Sequence, residues 1–339
     1  MGGRSWIPDE YESSAKGRDA FKYSAETLNK PLDQRKIHQL LDPFGLRVRE
    51  SRDSEEHPNS NAIAIGLDVT GSMTRVVYEI QLALGRLMGM LLDNKLVVDP
   101  QILCFAIGDA TCDNFPFQIS QFESDIRIND QLTKFILEGG GGSYITESYE
   151  HGYYAMSRHT ALDCLERRNE KGTLFTIGDE LPYDVVSNTE IKRVFNAPLQ
   201  GDISFTDIVT EVQKKFNTFH IIPKGSNNYG VEEIRRFWAK ALGGDQFVLS
   251  PSPAAICETI ALASALIKRT LTFEDGLEKI ESLSGALIAK EVREVLTPFA
   301  KTIIADDKQK TINDQGNTAV KTNDKTGKSK KKKPGKLFQ

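Results

Sequence analysis

Three oxygen-bearing side chains, Asp68, Thr70 and Ser72, stand at alternate positions where the apolar run 62–67 stops abruptly. One carboxylate and two hydroxyls on a tight turn can cradle a hard divalent cation, because such ions take oxygen ligands and magnesium keeps several waters in near-octahedral geometry. The same residues also read as a turn followed by a helix N-cap, with no ion involved. Two stretches downstream carry matching chemistry. Gly139 to Gly142 precede Ser143, Thr146 and Glu147, and the strand-like run 173–177 ends in Gly178, Asp179 and Glu180. Taken singly, the first is also a flexible loop and the second an ordinary strand-ending turn. The glycine run is not a nucleotide loop, because it lacks the Gly-Lys-Ser/Thr that would supply phosphate contacts.

The elements that must position these residues alternate along the chain. Apolar runs predict strands at 62–67, 101–107, 115–119, 173–177, 218–222 and 246–248. Longer periodic segments predict helices at 74–92, 125–137, 148–168, 189–195, 205–216, 231–242 and 254–269. Strands alternating with longer helices argue for an α/β, doubly wound, mostly parallel six-stranded sheet with helices on both faces. The short link between the second and third strands permits only an antiparallel neighbour, which places the third at an edge.

The segment AIAIGLDVTGSM resembles the metal-ion-dependent adhesion site of von Willebrand factor type A (VWA) domains, whose signature is Asp-x-Ser/Thr-x-Ser after the first strand. The resemblance covers roughly residues 61–269. It implies a Rossmann-like sheet of order 3-2-1-4-5-6, in which strands one and four flank the point where the winding reverses and share one crevice. It further implies Mg2+ or Mn2+ held by Asp68, Thr70 and Ser72, by a second-loop residue and by Asp179. GGGGSYITESYE gives the second loop no unambiguous ligand, and Glu147 or Thr146 fits better than Ser143. A glutamate there strengthens cation binding and leaves less positive charge to attract an acidic ligand residue. In the family, a partner's carboxylate completes the coordination sphere.

Outside that region, residues 1–60 read as a polar arm broken by prolines, helical only at 32–41, that packs against the domain. Residues 270–311 read as a helical extension that starts at Thr272 and Asp275 and is closed by Pro298. From 312 to 339 apolar residues thin out and a disordered, lysine-rich tail is expected. Its last nineteen residues hold eight lysines and one aspartate, net +7, so the rest of the chain carries −11 of the overall −4. An acidic body with a basic tail suggests an anionic partner such as nucleic acid, an acidic protein or a membrane surface, or a solubilising tail with no single partner. The lysine run would serve as a nuclear address in a eukaryote. It has no interleaved aromatic residues for base stacking.

Cys104, Cys112, Cys164 and Cys257 lack metal-site spacing and read as buried thiols in a reducing compartment. With no membrane-length apolar run and no signal-like start, cytoplasm is the expected location. Intracellular members of the family commonly work with AAA-type ATPases or as scaffolds. The expected function is therefore a non-catalytic, magnesium-dependent protein-interaction module that recruits such an ATPase or an assembly partner. Two alternatives are a metal-dependent hydrolase, with Glu147, His151 and His159 on one helical face, and a structural domain with a vacant site.

Overall fold

In the computed structural model, residues 22–323 are described apart from 74–75, 77–78, 80–82, 84–86, 92–94 and 141–144; Ser72 and 306–323 are described as backbone only. Six strands build the central sheet: β1 (Asn61–Asp68), β2 (Pro100–Ile107), β3 (Phe117–Ile119), β4 (Gly172–Ile177), β5 (Phe216–Ile221) and β6 (Val248–Leu249). Their order across the sheet is 3-2-1-4-5-6, as expected. All pairings are parallel except that of β2 with the edge strand β3.

Every residue of β1, β2 and β4 is buried, as befits strands covered on both faces. Alternate residues serve opposite layers. Ala62, Ala64, Leu103, Phe105 and Ile107 join a core with residues of α1 (Tyr149–Arg158), α2 (Asn188–Phe195), α3 (Phe205–Gln213) and α4 (Glu232–Leu242). On the other face Cys104 lies beside Cys257 of α5 (Ile256–Lys268). The Phe105 ring fills the space that a side chain on Gly66 or Gly152 would need, so α1 sits closely on β1 and β2.

Several elements differ from the sequence expectation. The helix expected at 74–92 falls largely outside the described residues, although 76, 79, 83 and 87–91 are helical. The helix expected at 148–168 is broken: α1 ends at Arg158, Thr160–Leu162 forms a strand, and a short helix follows at Asp163–Arg168. That strand pairs in parallel with Arg49–Ser51, which docks the arm on the domain and takes 160–162 out of the helical ladder. Arg52 reinforces the docking by pairing with Asp163 at 2.7 Å and Glu166 at 2.6 Å. The helix expected at 32–41 is only a 3-10 turn at Leu32–Gln34, while Lys22–Leu28 is helical. Cys112 is exposed, in a turn after β2, whereas the other three cysteines are buried.

The chain's compact units divide between Thr297 and Pro298. Thr272 caps α6 (Phe273–Ser284) by accepting from the Asp275 N–H at 3.2 Å, and α6 ends at Gly285, whose φ of +87° favours glycine. The next helix, α7 (Ala286–Asn323), runs through Pro298 instead of stopping there and covers residues 312–323 of the expected disordered tail. Once a helix is nucleated, each added residue gains a backbone bond for little further cost. Residues 324–339 lie outside the described set.

Candidate metal centre

Strand register brings the first and third loops together. Leu67 of β1 pairs with Ile177 of β4, so the next residues, Asp68 and Gly178, are neighbours. Gly178 is required there, because a Cβ would overlap the Tyr149 hydroxyl and stand 2.9 Å from Asp68 Cβ. The second loop is tied to the third by a two-residue parallel ladder, Thr146 opposite Leu181 and Glu147 opposite Pro182, and by the Leu181 N–H donating to the Ile145 carbonyl at 2.9 Å. The glycine run meets the first loop where the Gly71 N–H donates to the Gly140 carbonyl at 3.1 Å.

Asp68 ends β1 fully buried. Its Oδ1 accepts from the Thr70 N–H at 2.9 Å and the Thr70 hydroxyl at 2.6 Å, and its Oδ2 accepts from the Tyr149 hydroxyl at 2.9 Å. Burial pushes its carboxyl up to about 6, opposed by those hydrogen bonds and reinforced by Asp179. Asp179 is fully buried, and its Oδ2 accepts from the Asn228 N–H at 2.7 Å. Thr146 and Glu147 are successive residues of a strand and so point to opposite sides. Glu147 is the buried one, facing Asp68, Glu180 and Asp109, and burial with these charges pushes it up to about 11. Thr146 is half-buried and meets Tyr183. Glu180 is raised to about 7 by burial and by Asp68. The side chains of Glu147 and Glu180 hydrogen-bond to each other, the protonated Glu147 carboxyl donating to the Glu180 carboxylate. Ser72 lies in the 3-10 turn Gly71–Met73, and Ser143 falls outside the described residues.

The sequence reading overlooked Asp109, which follows β2 and is fully buried. Its Oδ1 accepts from the Thr111 N–H at 2.8 Å, the Thr111 hydroxyl at 2.7 Å and the Tyr183 hydroxyl at 3.0 Å. Asp109-Ala-Thr111 repeats the Asp-x-Thr of Asp68-Val-Thr70, a signal present in the sequence. Ser148 links this loop to the second one, its N–H donating to the Gly108 carbonyl and its Oγ accepting from the Ala110 N–H at 2.9 Å. Tyr149 and Trp238 were also missed. Trp238 donates its indole N–H to the Glu180 carbonyl at 2.9 Å and stacks on buried His220 with centroids 3.7 Å apart.

The expected pairing of Glu147 with His151 and His159 on one helical face is not formed. Glu147 precedes α1 in its own short strand, His151 faces Glu150 and Glu190, and His159 follows the helix, stacked on Phe195.

Strand order, reversal point and three converging loops define the architecture. The fold is VWA-like. Solved structures similar to the chain include the pilus adhesin SpaC from Lactobacillus rhamnosus GG in its open conformation, at 9% identity and TM-score 0.44 over 63% of this chain. The chain spans about a third of that adhesin's length, 31%. The vWF domain of the type V pili tip protein Mfa5 from Porphyromonas gingivalis matches at 11% identity and TM-score 0.39, covering 62% of this chain and 96% of that one. The SpRpn10 VWA domain matches at 8% identity and TM-score 0.35, covering 57% and 86%. No protein-family model and no curated protein matches the sequence.

Proposed function

We propose that this VWA-like domain is a non-catalytic protein-interaction module that engages its partner through a divalent ion, Mg2+ or Mn2+, at the crevice between β1 and β4. The observation that carries this reading is the crowding of the buried carboxyls of Glu147 and Glu180, hydrogen-bonded to each other, beside Asp68. Burying carboxylates together is unfavourable unless a cation or protons neutralise them. The all-oxygen donor set fits a hard dication. Asp68, Thr70, Glu147 and Asp179 would hold the ion, with Ser72 completing the first loop, and Thr146 is the less suitable second-loop ligand because it points away from Glu147's side. When bound, the ion supplies a Lewis-acidic position for an oxygen of the partner.

Several carboxylates around one dication leave little net positive charge. This favours a partner amide or hydroxyl oxygen over the acidic side chain that the family resemblance implies. An AAA-type ATPase or another assembly component is the partner class that the resemblance to intracellular VWA domains implies. Among the described residues no helix is long and apolar enough to cross a membrane.

Isothermal titration of the chelator-stripped chain with Mg2+ tests the site. Asp68→Ala and Asp179→Ala are expected to abolish binding with an unchanged circular dichroism spectrum, and Glu147→Ala to weaken it far more than Thr146→Ala. Full affinity in both aspartate variants would remove the assignment. Affinity capture with and without chelator then tests the partner, which is expected to dissociate in chelator and return with magnesium.

A further inference from the structure

Glu150 and His151 open helix α1 with fully buried side chains. Oε1 of Glu150 and both ring nitrogens of His151 have no hydrogen-bond partner among the described residues. Glu150 is held from its other side, where Oε2 accepts from the Tyr183 N–H at 3.3 Å, while Oε1 stands 3.7 Å from His151 Nδ1. Glu190, on helix α2, brings Oε2 to 4.0 Å from His151 Nε2. One ligand atom from each of the three residues lies within 4.8 Å of the others, and no other trio of His, Cys, Asp or Glu among the described residues meets that condition.

These separations are too long for hydrogen bonds. One ion takes only one imidazole nitrogen, so the donor set is one atom from each residue, all within 4.8 Å of one another, which a small side-chain adjustment brings to the roughly 3 to 4 Å between two atoms each about 2.1 Å from one metal. We propose that Glu150, His151 and Glu190 form a second metal site, separate from the oxygen cradle at Asp68, that takes a borderline transition-metal dication of the zinc or cobalt class. The imidazole decides the class, because magnesium and calcium prefer all-oxygen surroundings whereas zinc and cobalt accept nitrogen with carboxylates.

The charges around the trio allow it. Arg193 faces His151 and Glu190 but donates to the Ala110 carbonyl, and Asp109 lies on the same side with the opposite charge. Glu190, at 24% side-chain exposure, gives solvent a way in, and three protein ligands leave positions for water or an exogenous group. Tyr183 connects the two centres through its backbone N–H on Glu150 and its hydroxyl on Asp109.

The test uses the full chain, stripped by chelator and titrated with Co2+, whose visible absorption reports nitrogen and carboxylate ligation. An Asp179→Asn background separates this site from the proposed magnesium centre. One Co2+ per chain is expected to bind with a visible band in that background and to resist excess Mg2+. Glu190→Gln, at a partly exposed position, is expected to weaken binding at least about ten-fold, and His151→Gln to remove the band. Either a band that excess Mg2+ abolishes or Co2+ affinity unchanged in Glu190→Gln would overturn the proposal. Absence of any band in the folded parent chain would overturn it too and leave the trio as a neutral, proton-bearing cluster.

Discussion

Gly178 shows how little room the third loop has. An alanine methyl there would have to displace the Tyr149 hydroxyl or the Asp68 side chain. Gly178→Ala is expected to destabilise the chain by about 1–3 kcal/mol, as overpacking does, and to weaken Mg2+ binding in parallel. Denaturant unfolding with and without the ion measures both effects, and a variant of unchanged stability would mean that the loop has slack. The second loop poses a sharper choice. Thr146 and Glu147 are equally plausible on the page of the sequence, and only the ladder with Leu181–Pro182 decides which one is turned inward.

The loops form one unit because they are tied to one another as well as to their strands. Ser148, fully buried, joins the turn after β2 to the segment entering α1. Ser148→Ala would leave the Ala110 N–H without its acceptor, which costs about 1–3 kcal/mol in a buried setting. The expected result is a lower unfolding midpoint with the far-ultraviolet spectrum retained, and an unshifted midpoint would show that water replaces the hydroxyl. At this scale the sequence was most informative about the sheet. The runs of β1, β2 and β4 are mostly apolar and buried at every position, and their alternation with helices gives the parallel sheet, while the strand order came from the resemblance to VWA domains. Among the candidate site residues, those in local motifs, Asp68, Thr70 and Asp179, could be picked out from the sequence. The site was opaque where geometry is tertiary: Tyr149 reaches Asp68 from 81 positions away in the chain. The break after Arg158 was hidden for the same reason, since the strand Thr160–Leu162 exists only because Arg49–Ser51 pairs with it.

For the whole molecule, the buried carboxyls make stability depend on pH. Asp68, Glu180 and Glu147 are raised from 3.8, 4.5 and 4.5 to about 6, 7 and 11. A carboxyl raised by folding favours the folded state below its unfolded value, and that contribution is lost as pH rises through its folded value. Without divalent ions, the melting temperature is expected to fall between pH 4 and pH 8, and added Mg2+ to restore more of it at pH 8 than at pH 5. A flat profile in chelator would contradict the crowding of these groups. The lysine-rich end belongs to a different regime. Deleting residues 321–339 is expected to leave the melting temperature nearly unchanged and to reduce affinity for an anionic partner at low salt, with the difference shrinking as ionic strength rises. A large loss of thermal stability would mean that this segment is docked.

The indole of Trp238 gives the chain a built-in optical signal. It is one of two tryptophans, the other being Trp6, and it is clamped between the carbonyl of Glu180 and the ring of His220. A shift of Glu180 towards a cation would change the dipoles next to the excited indole, so the emission maximum or intensity should move along the same isotherm as the calorimetric titration. Trp6→Phe would isolate the response and make third-loop movement measurable in real time by stopped flow. Emission unaffected by a saturating ion would show that the third loop is already set before the ion arrives.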